Sequence, residues 1–198
     1  MLPDALRRTV SKEEINELPV RRYEGPVCLV ASAQDAALAL EDILRESVVG
    51  FDTETRPAFR PGESYLPCLA QVATAKAVYL FQIQQQDCSS VLRDLLSSEQ
   101  TTKAGASIAY DLRQLKQVFP FEEKAVVDVG WAAKRHGMEQ TGVRNLAALF
   151  LGFRIPKGAK TTNWSAKVLT PQQVAYAATD AWACRELYLR FQELGLIS

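Results

Sequence analysis

The sequence predicts an α/β protein: a mixed sheet of about five strands, antiparallel first and parallel afterwards, with helices on its faces. Three observations carry this. Short apolar runs of strand length alternate with segments of helical periodicity. Two strand-like runs, Cys68 to Ala73 and Ala77 to Ile83, are joined only by Thr74-Ala75-Lys76, which implies an antiparallel hairpin. Strand–helix units then follow one another along the second half of the chain, with no internal repeat or low-complexity tract.

Taken in order, Ser11-Lys12-Glu13-Glu14 matches a capping box and opens a short helix that Pro19 ends. Residues 1–26 thus read as an N-terminal extension appended to the core, and residues 27–198 as the main domain. Val27 to Val30 reads as a short strand. Ser32 to Arg45 reads as an amphipathic helix with Ala36, Leu40, Ile43 and Leu44 on one side. Val48 to Phe51 is an apolar run, the mark of a strand covered on both faces. Arg56 to Pro67 holds three prolines and a glycine, so it is a loop. After the hairpin, Ser89 to Ser97 reads as a helix, Lys103 to Ser107 as a strand of small residues, and Tyr110 to Phe119 as a helix stopped by Pro120. Ala125 to Asp128 is a further strand, and Val129 to His136 and Val143 to Leu151 are helical. Arg154 to Leu169 is an irregular basic segment. Thr170 as N-cap and Pro171 in the first turn open the last long helix.

Composition excludes several classes. No apolar run approaches the roughly 18 residues of a membrane span. The first 19 residues carry acids and lack the apolar stretch of a secretory signal. The four cysteines are scattered among apolar neighbours, which reads as buried free thiols in a reducing compartment rather than zinc ligands or disulfides. The expected location is intracellular, cytoplasmic or nuclear. His136, beside Lys134 and Arg135, suits a helix end rather than catalysis. Net charge is zero, yet residues 101–170 hold 11 basic and 5 acidic side chains, with no acid between Glu139 and Asp180. One basic stretch on a neutral protein suits a polyanion groove or a plain solvated surface.

The chemistry gathers on acids. Asp52-Thr53-Glu54 follows the central apolar run, and residues two apart on a strand share a face. Two carboxylates held that close repel unless a cation lies between them. Tyr176 and Asp180 stand four apart on the last helix, hence on one side of it, separated by small residues that allow close packing on the sheet. Asp111 begins the helix after the small-residue strand, where the helix dipole alone would favour an acid.

In order and spacing, Asp52-Thr53-Glu54, Asp111 and Tyr176-x-x-x-Asp180 resemble the three motifs of the DEDD superfamily of 3′-to-5′ exonucleases, tyrosine subclass. Within it the chain is similar to ribonuclease D and, more closely, to the exonuclease domain of the Werner syndrome protein. The closer likeness rests on Lys103-Ala104-Gly105, Asn163-Trp164-Ser165, Leu169-Thr170 and Tyr176 to Ala181. It covers about residues 27 to 195. The histidine subclass would have His where this chain has Ala175.

The resemblance implies a ribonuclease H-like fold and two divalent ions, Mg²⁺ or Mn²⁺. Asp52, Glu54 and Asp180 would hold the deeper ion, Asp52 would share the second with the phosphate, and Asp111 would complete the set. Tyr176 would orient the attacking water. Products would be nucleoside 5′-monophosphates. The partner would be single-stranded or 3′-end-exposed DNA, with RNA as the other candidate and no membrane; the oligomeric state stays open. Candidate substrate contacts are Thr53 and Thr55 at the 3′-hydroxyl, Lys160 and Asn163 at phosphate or sugar, and Trp164 either stacked on a base or buried under its segment. Phe59 and Tyr65 could wedge against the terminal base. The alternative is a module of the same family that binds nucleic acid or a protein without cutting. Such modules usually lose a motif acid, and this chain keeps all four and the tyrosine.

Overall fold

The structure is a computed structural model that describes residues 9–158 and 161–197. In chain order its elements are α1 (Lys12–Glu17), β1 (Val27–Val30), α2 (Ala33–Ile43), β2 (Val48–Thr55), β3 (Pro67–Ala73), β4 (Val78–Phe81), α3 (Ser89–Ser97), β5 (Thr102–Gly105), α4 (Ile108–Leu115), β6 (Val126–Asp128), α5 (Val129–Arg135), α6 (Val143–Leu146) and α7 (Pro171–Glu193). Residues Ala147–Leu151 extend α6 as a π-helical turn.

Among the described residues the strands form one sheet in the order β1-β4-β3-β2-β5-β6. Strands β2, β3 and β4 make the antiparallel meander, and β5 and β6 join parallel to β2. The sheet has six strands where about five were expected. The extra pairing is between β1 and β4, parallel and only four residues long. As an edge strand β1 leaves one side open, so Cys28 is exposed, against the expectation of four buried thiols. The other three cysteines are free and buried.

The two faces of the sheet are packed differently. On one, Val49, Phe51, Val72 and Phe81 meet α2, α3 and α4 through Ile43, Leu92, Leu95, Leu96 and Leu112. The other face takes α7. There Leu69, Ala73, Val78 and Leu80 lie under Ala177, Ala178 and Ala181. The alanines let the helix come close, and Gly50 shows how close: a Cβ built on it would lie 1.9 Å from the carbonyl oxygen of Ala181. Such contact is open only to glycine. Helix α7 is well started, because Thr170 Oγ1 accepts from Gln173 N–H while the Gln173 side chain accepts from Thr170 N–H.

The N-terminal segment is stitched to this core. Ser11 and Glu14 form the expected capping box. Val10 N–H donates to Gln140 Oε1 at 3.1 Å, and Val20 pairs with Arg154 in a parallel bridge. Arg154 N–H donates to Pro19 O, Arg21 N–H donates to Arg154 O, and Arg154 Nε donates to Leu18 O. Tyr23 N–H reaches Thr179 on α7. Residues 9–26 are thus hydrogen-bonded to the main domain at Gln140, Arg154 and Thr179. His136 sits at the C-cap of α5 with Nε2 2.9 Å from Leu196 O, the helix-end role its sequence context suggests.

Candidate active site

Asp52 and Glu54 leave the same side of β2, toward α7, and a register shift of the β2–β3 ladder follows directly after Glu54. Asp180 arrives from α7, held there by the Gly50–Ala181 contact one residue away. One carboxylate oxygen from each of Asp52, Glu54 and Asp180 lies within 4.8 Å of the others. Asp180 is only 5% exposed.

The electrostatics follow from this crowding. Burial raises the Asp52 pKa well above the ordinary carboxylate range, and the charges of Asp111, Asp180 and Glu54 raise it further. Asp111 stands outside the trio but near enough to act on Asp52. Its Oδ1 accepts from Thr53 Oγ1 at 2.6 Å. Burial pushes its pKa up to about 6, opposed by the Thr53 hydroxyl and helped by Asp128. Helix α4 begins at Ser107, whose φ of 62° is left-handed, and Ser107 N–H donates to Asp128 Oδ1. A non-glycine residue in that region stores strain that the surrounding bonds must hold. The Tyr176 phenol is pushed up first by burial, then by the charges of Asp180 and Glu54 and by its hydrogen bond to Asp180. Tyr176 is therefore a neutral hydrogen-bond donor near pH 7, not a base.

Asp52, Glu54, Tyr176 and Asp180 line a cleft of about 430 Å³ with Thr53, Gly142, Val143, Arg144 and Asn145, while Asp111 is not part of this lining. The Arg144 guanidinium lies 5.9 Å from the centre of the Tyr176 ring and donates to Pro156 O. Arg144 and Asn145 are wall residues that the motif reading missed. The only sequence signal was Arg144's membership of the acid-free basic stretch. On the other side of the ring, Gly158 presses so close that an added Cβ would lie 2.6 Å from Tyr176 Cδ2.

The remaining candidates fall elsewhere. Thr55 and Asn163 are not among the residues lining the cleft. Asn163 Oδ1 accepts from Ser165 N–H, and its carbonyl accepts from Gln173 Nε2, so it shapes the segment ahead of α7. Trp164 is 1% exposed and packs 5.9 Å from the Tyr176 ring. Of its two expected roles the structure shows burial under the irregular segment, and a ring so enclosed is not placed to stack on a base. Lys160 lies outside the described residues. Phe59 is 79% exposed at the loop tip, and Tyr65 lies under the Arg56 guanidinium.

The donor set fits a hard divalent cation. The clustered ligand atoms are all carboxylate oxygens. The nearby Cys184 thiol is buried, and that burial with the Asp52 and Asp180 charges raises its pKa well above its usual value, so it stays protonated and is no soft-metal ligand. Acids converging from a central strand and a long helix, beside a neutral phenol and an arginine-walled cleft, are an arrangement that could hold a divalent cation, as in metal-dependent nucleases. The comparisons give the particular family. The 3′-5′ exonuclease family profile matches residues 28–195, and the chain belongs to that family, hydrolases of phosphodiester bonds. The mouse bifunctional 3′-5′ exonuclease/ATP-dependent helicase WRN is 30% identical over 190 residues, which is 91% of this chain and 14% of that protein. Ribonuclease D of Gluconacetobacter diazotrophicus is 30% identical over 170 residues, 84% of this chain and 42% of that protein. The chain thus spans less than half the length of either relative. The crystal structure of the Aedes aegypti Nibbler EXO domain superposes with a TM-score of 0.77 at 23% identity, covering 88% of this chain and 90% of that one, a likeness of fold. The family resemblance and the ribonuclease H-like architecture read from the motifs are borne out.

Proposed function

We propose that this chain removes nucleotides stepwise from nucleic acid 3′ ends, releasing nucleoside 5′-monophosphates, with two Mg²⁺ or Mn²⁺ ions and with DNA favoured over RNA. The observation that carries this reading is the convergence of Asp52, Glu54 and Asp180. When bound, the ions supply Lewis acidity, which makes the attacking water more acidic and offsets charge on the phosphate and the leaving oxygen. Asp52, Glu54 and Asp180 would hold them, with Asp111 kept beside the trio by Thr53.

The rest belongs to the protein's own groups. Tyr176, kept neutral by its surroundings, donates to and orients the water that attacks phosphorus. The water releases one proton to solvent as its oxygen bonds to phosphorus, the bond from phosphorus to the 3′-oxygen of the preceding nucleotide breaks, and that oxygen takes a proton from solvent. Arg144, in the cleft wall, faces the charge that builds on the phosphate. Thr53, in the cleft lining, positions the 3′-terminal sugar, and Lys160 is proposed as a phosphate contact. DNA is favoured on the Werner-like segments Asn163-Trp164-Ser165 and Tyr176 to Ala181. Tyr176, with Ala175 where the histidine subclass has His, assigns the chain to the tyrosine subclass.

The test is digestion of 5′-labelled single-stranded DNA, recessed duplex DNA and RNA, each with Mg²⁺, Mn²⁺ or EDTA. Ladder formation from the 3′ end, fastest on DNA, lost in EDTA and absent in Asp52→Ala, is expected. Metal-independent cutting, or a fully active Asp52→Ala, would end this reading.

A further inference from the structure

We propose that the groove between α1 and the Arg154-to-Lys157 segment is a second binding site, for the sugar-phosphate backbone of a single strand whose 3′ end lies at the acids. The inference rests on the exonuclease reading and adds the N-terminal segment to the substrate machinery.

The groove has a volume of about 440 Å³. Lys12, Arg144, Arg154 and Lys157 line it, and no acid does. Asn16 and Asn145 add polar groups for sugar or phosphate oxygens. Arg144 and Asn145 line the catalytic cleft as well, so the two cavities share a wall. A polyanion leaving the acid trio therefore meets Arg144 first and a cation-lined channel next. That order is what a strand needs: repelled by carboxylates wherever no cation covers them, drawn along by fixed positive charge.

The outer wall is built, not incidental. The bridge between Val20 and Arg154 and the bond from Arg154 Nε to Leu18 O fix α1 against the segment it faces. Lys12 makes no ion pair among the described residues, so its charge is available. The acids of α1 lie off this wall: Glu14 turns back to close the capping box, and Glu13 and Glu17 do not line the groove.

The test uses the full chain in EDTA, so that nothing is cut, and fluorescein-labelled single-stranded DNA of about three and about ten nucleotides. Binding is followed by anisotropy across a salt series for wild type, Lys12→Glu and Lys12→Arg. A glutamate in the first turn suits the helix dipole, so Lys12→Glu perturbs the groove and not the helix. Lys12→Glu should weaken the longer strand about ten-fold and flatten its log–log salt slope by about 0.7, with a smaller penalty on the shorter strand, and Lys12→Arg should restore both. Equal affinity and equal slope for wild type and Lys12→Glu on the longer strand would overturn the proposal and leave the groove to some other, acidic partner. Digestion by wild type in Mg²⁺ separates the two readings. Digestion with an unaffected Lys12→Glu removes only the groove; a Lys12-dependent strand that is never digested removes only the exonuclease.

Discussion

Adding one methyl group at Gly50 should cripple catalysis more than folding. A Cβ there would lie 1.9 Å from the Ala181 carbonyl oxygen and 2.9 Å from Ala181 C and Arg185 N. A comfortable C···O separation is about 3.3 Å, so α7 must withdraw by about 1 Å or more. All three neighbours are backbone atoms, and none can swing aside as a side chain would. Overpacking of this kind costs about 1–3 kcal/mol. In a protein of this size that lowers the melting temperature by about 2–4 °C per kcal/mol. Asp180 adjoins Ala181, and Tyr176 lies one turn earlier, so both move with the helix. A misplacement of about 1 Å at reacting groups can cost about 100-fold in rate. The assay pairs a thermal melt of Gly50→Ala with single-turnover digestion well below its melting temperature, and with a Mn²⁺ titration. A fully active variant that melts within about 1 °C of wild type would refute the view that this backbone contact sets the acid spacing.

Four more outcomes follow from the site and its surroundings. In EDTA, Asp180→Asn should melt higher than wild type, because one of the crowded like charges is gone, while with Mg²⁺ present its nucleotide release disappears and Tyr176→Phe retains cleavage at a rate reduced by about 100-fold or less. The folded Asp111 carboxyl titrates at about 6, above the ordinary value of about 3.9, so it stabilises the fold below pH ~4 and that contribution is lost as pH rises through about 6. The metal-free protein should therefore melt lower at pH 7.5 than at pH 5, and saturating Mn²⁺ should reverse the order, since the cation binds the ionised acids; pH-independent melting in EDTA would contradict the crowding. Gln71, opposite Asp52 on β3, is fully buried with neither amide atom hydrogen-bonded. Gln71→Met keeps the volume and removes that penalty, so it should raise stability by about 1–3 kcal/mol in a denaturant melt, and destabilisation would show that the amide is satisfied in solution.

Local signals carried most of the site. Asp52 and Glu54 could be placed on one side of a strand because the strand period is two, and Tyr176 and Asp180 on one side of a helix because four residues make about a turn. The Thr170 cap and the short hairpin link are equally local; the cap stands in the structure, and the antiparallel hairpin forms with a link one residue longer than expected, residues 74–77. What escaped depends on distant partners. Strand β1 pairs with β4 across the whole of β2 and β3, so nothing near Val27 announces it. Arg144 reaches the wall of the acid cleft only because α6 and its π-helical turn pack against α7. Trp164 reads alike as a stacking platform or as core, and only the fold over it decides. The docking of residues 9–26 hangs on bonds to Gln140, Arg154 and Thr179, partners more than a hundred residues away that no local pattern announces.

Asp180 enters the carboxylate trio on the last helix of the fold, while its partners Asp52 and Glu54 come from an early strand. Until α7 seats against Gly50 the cluster lacks its third carboxylate, so the docking of this helix is the folding step that assembles the trio.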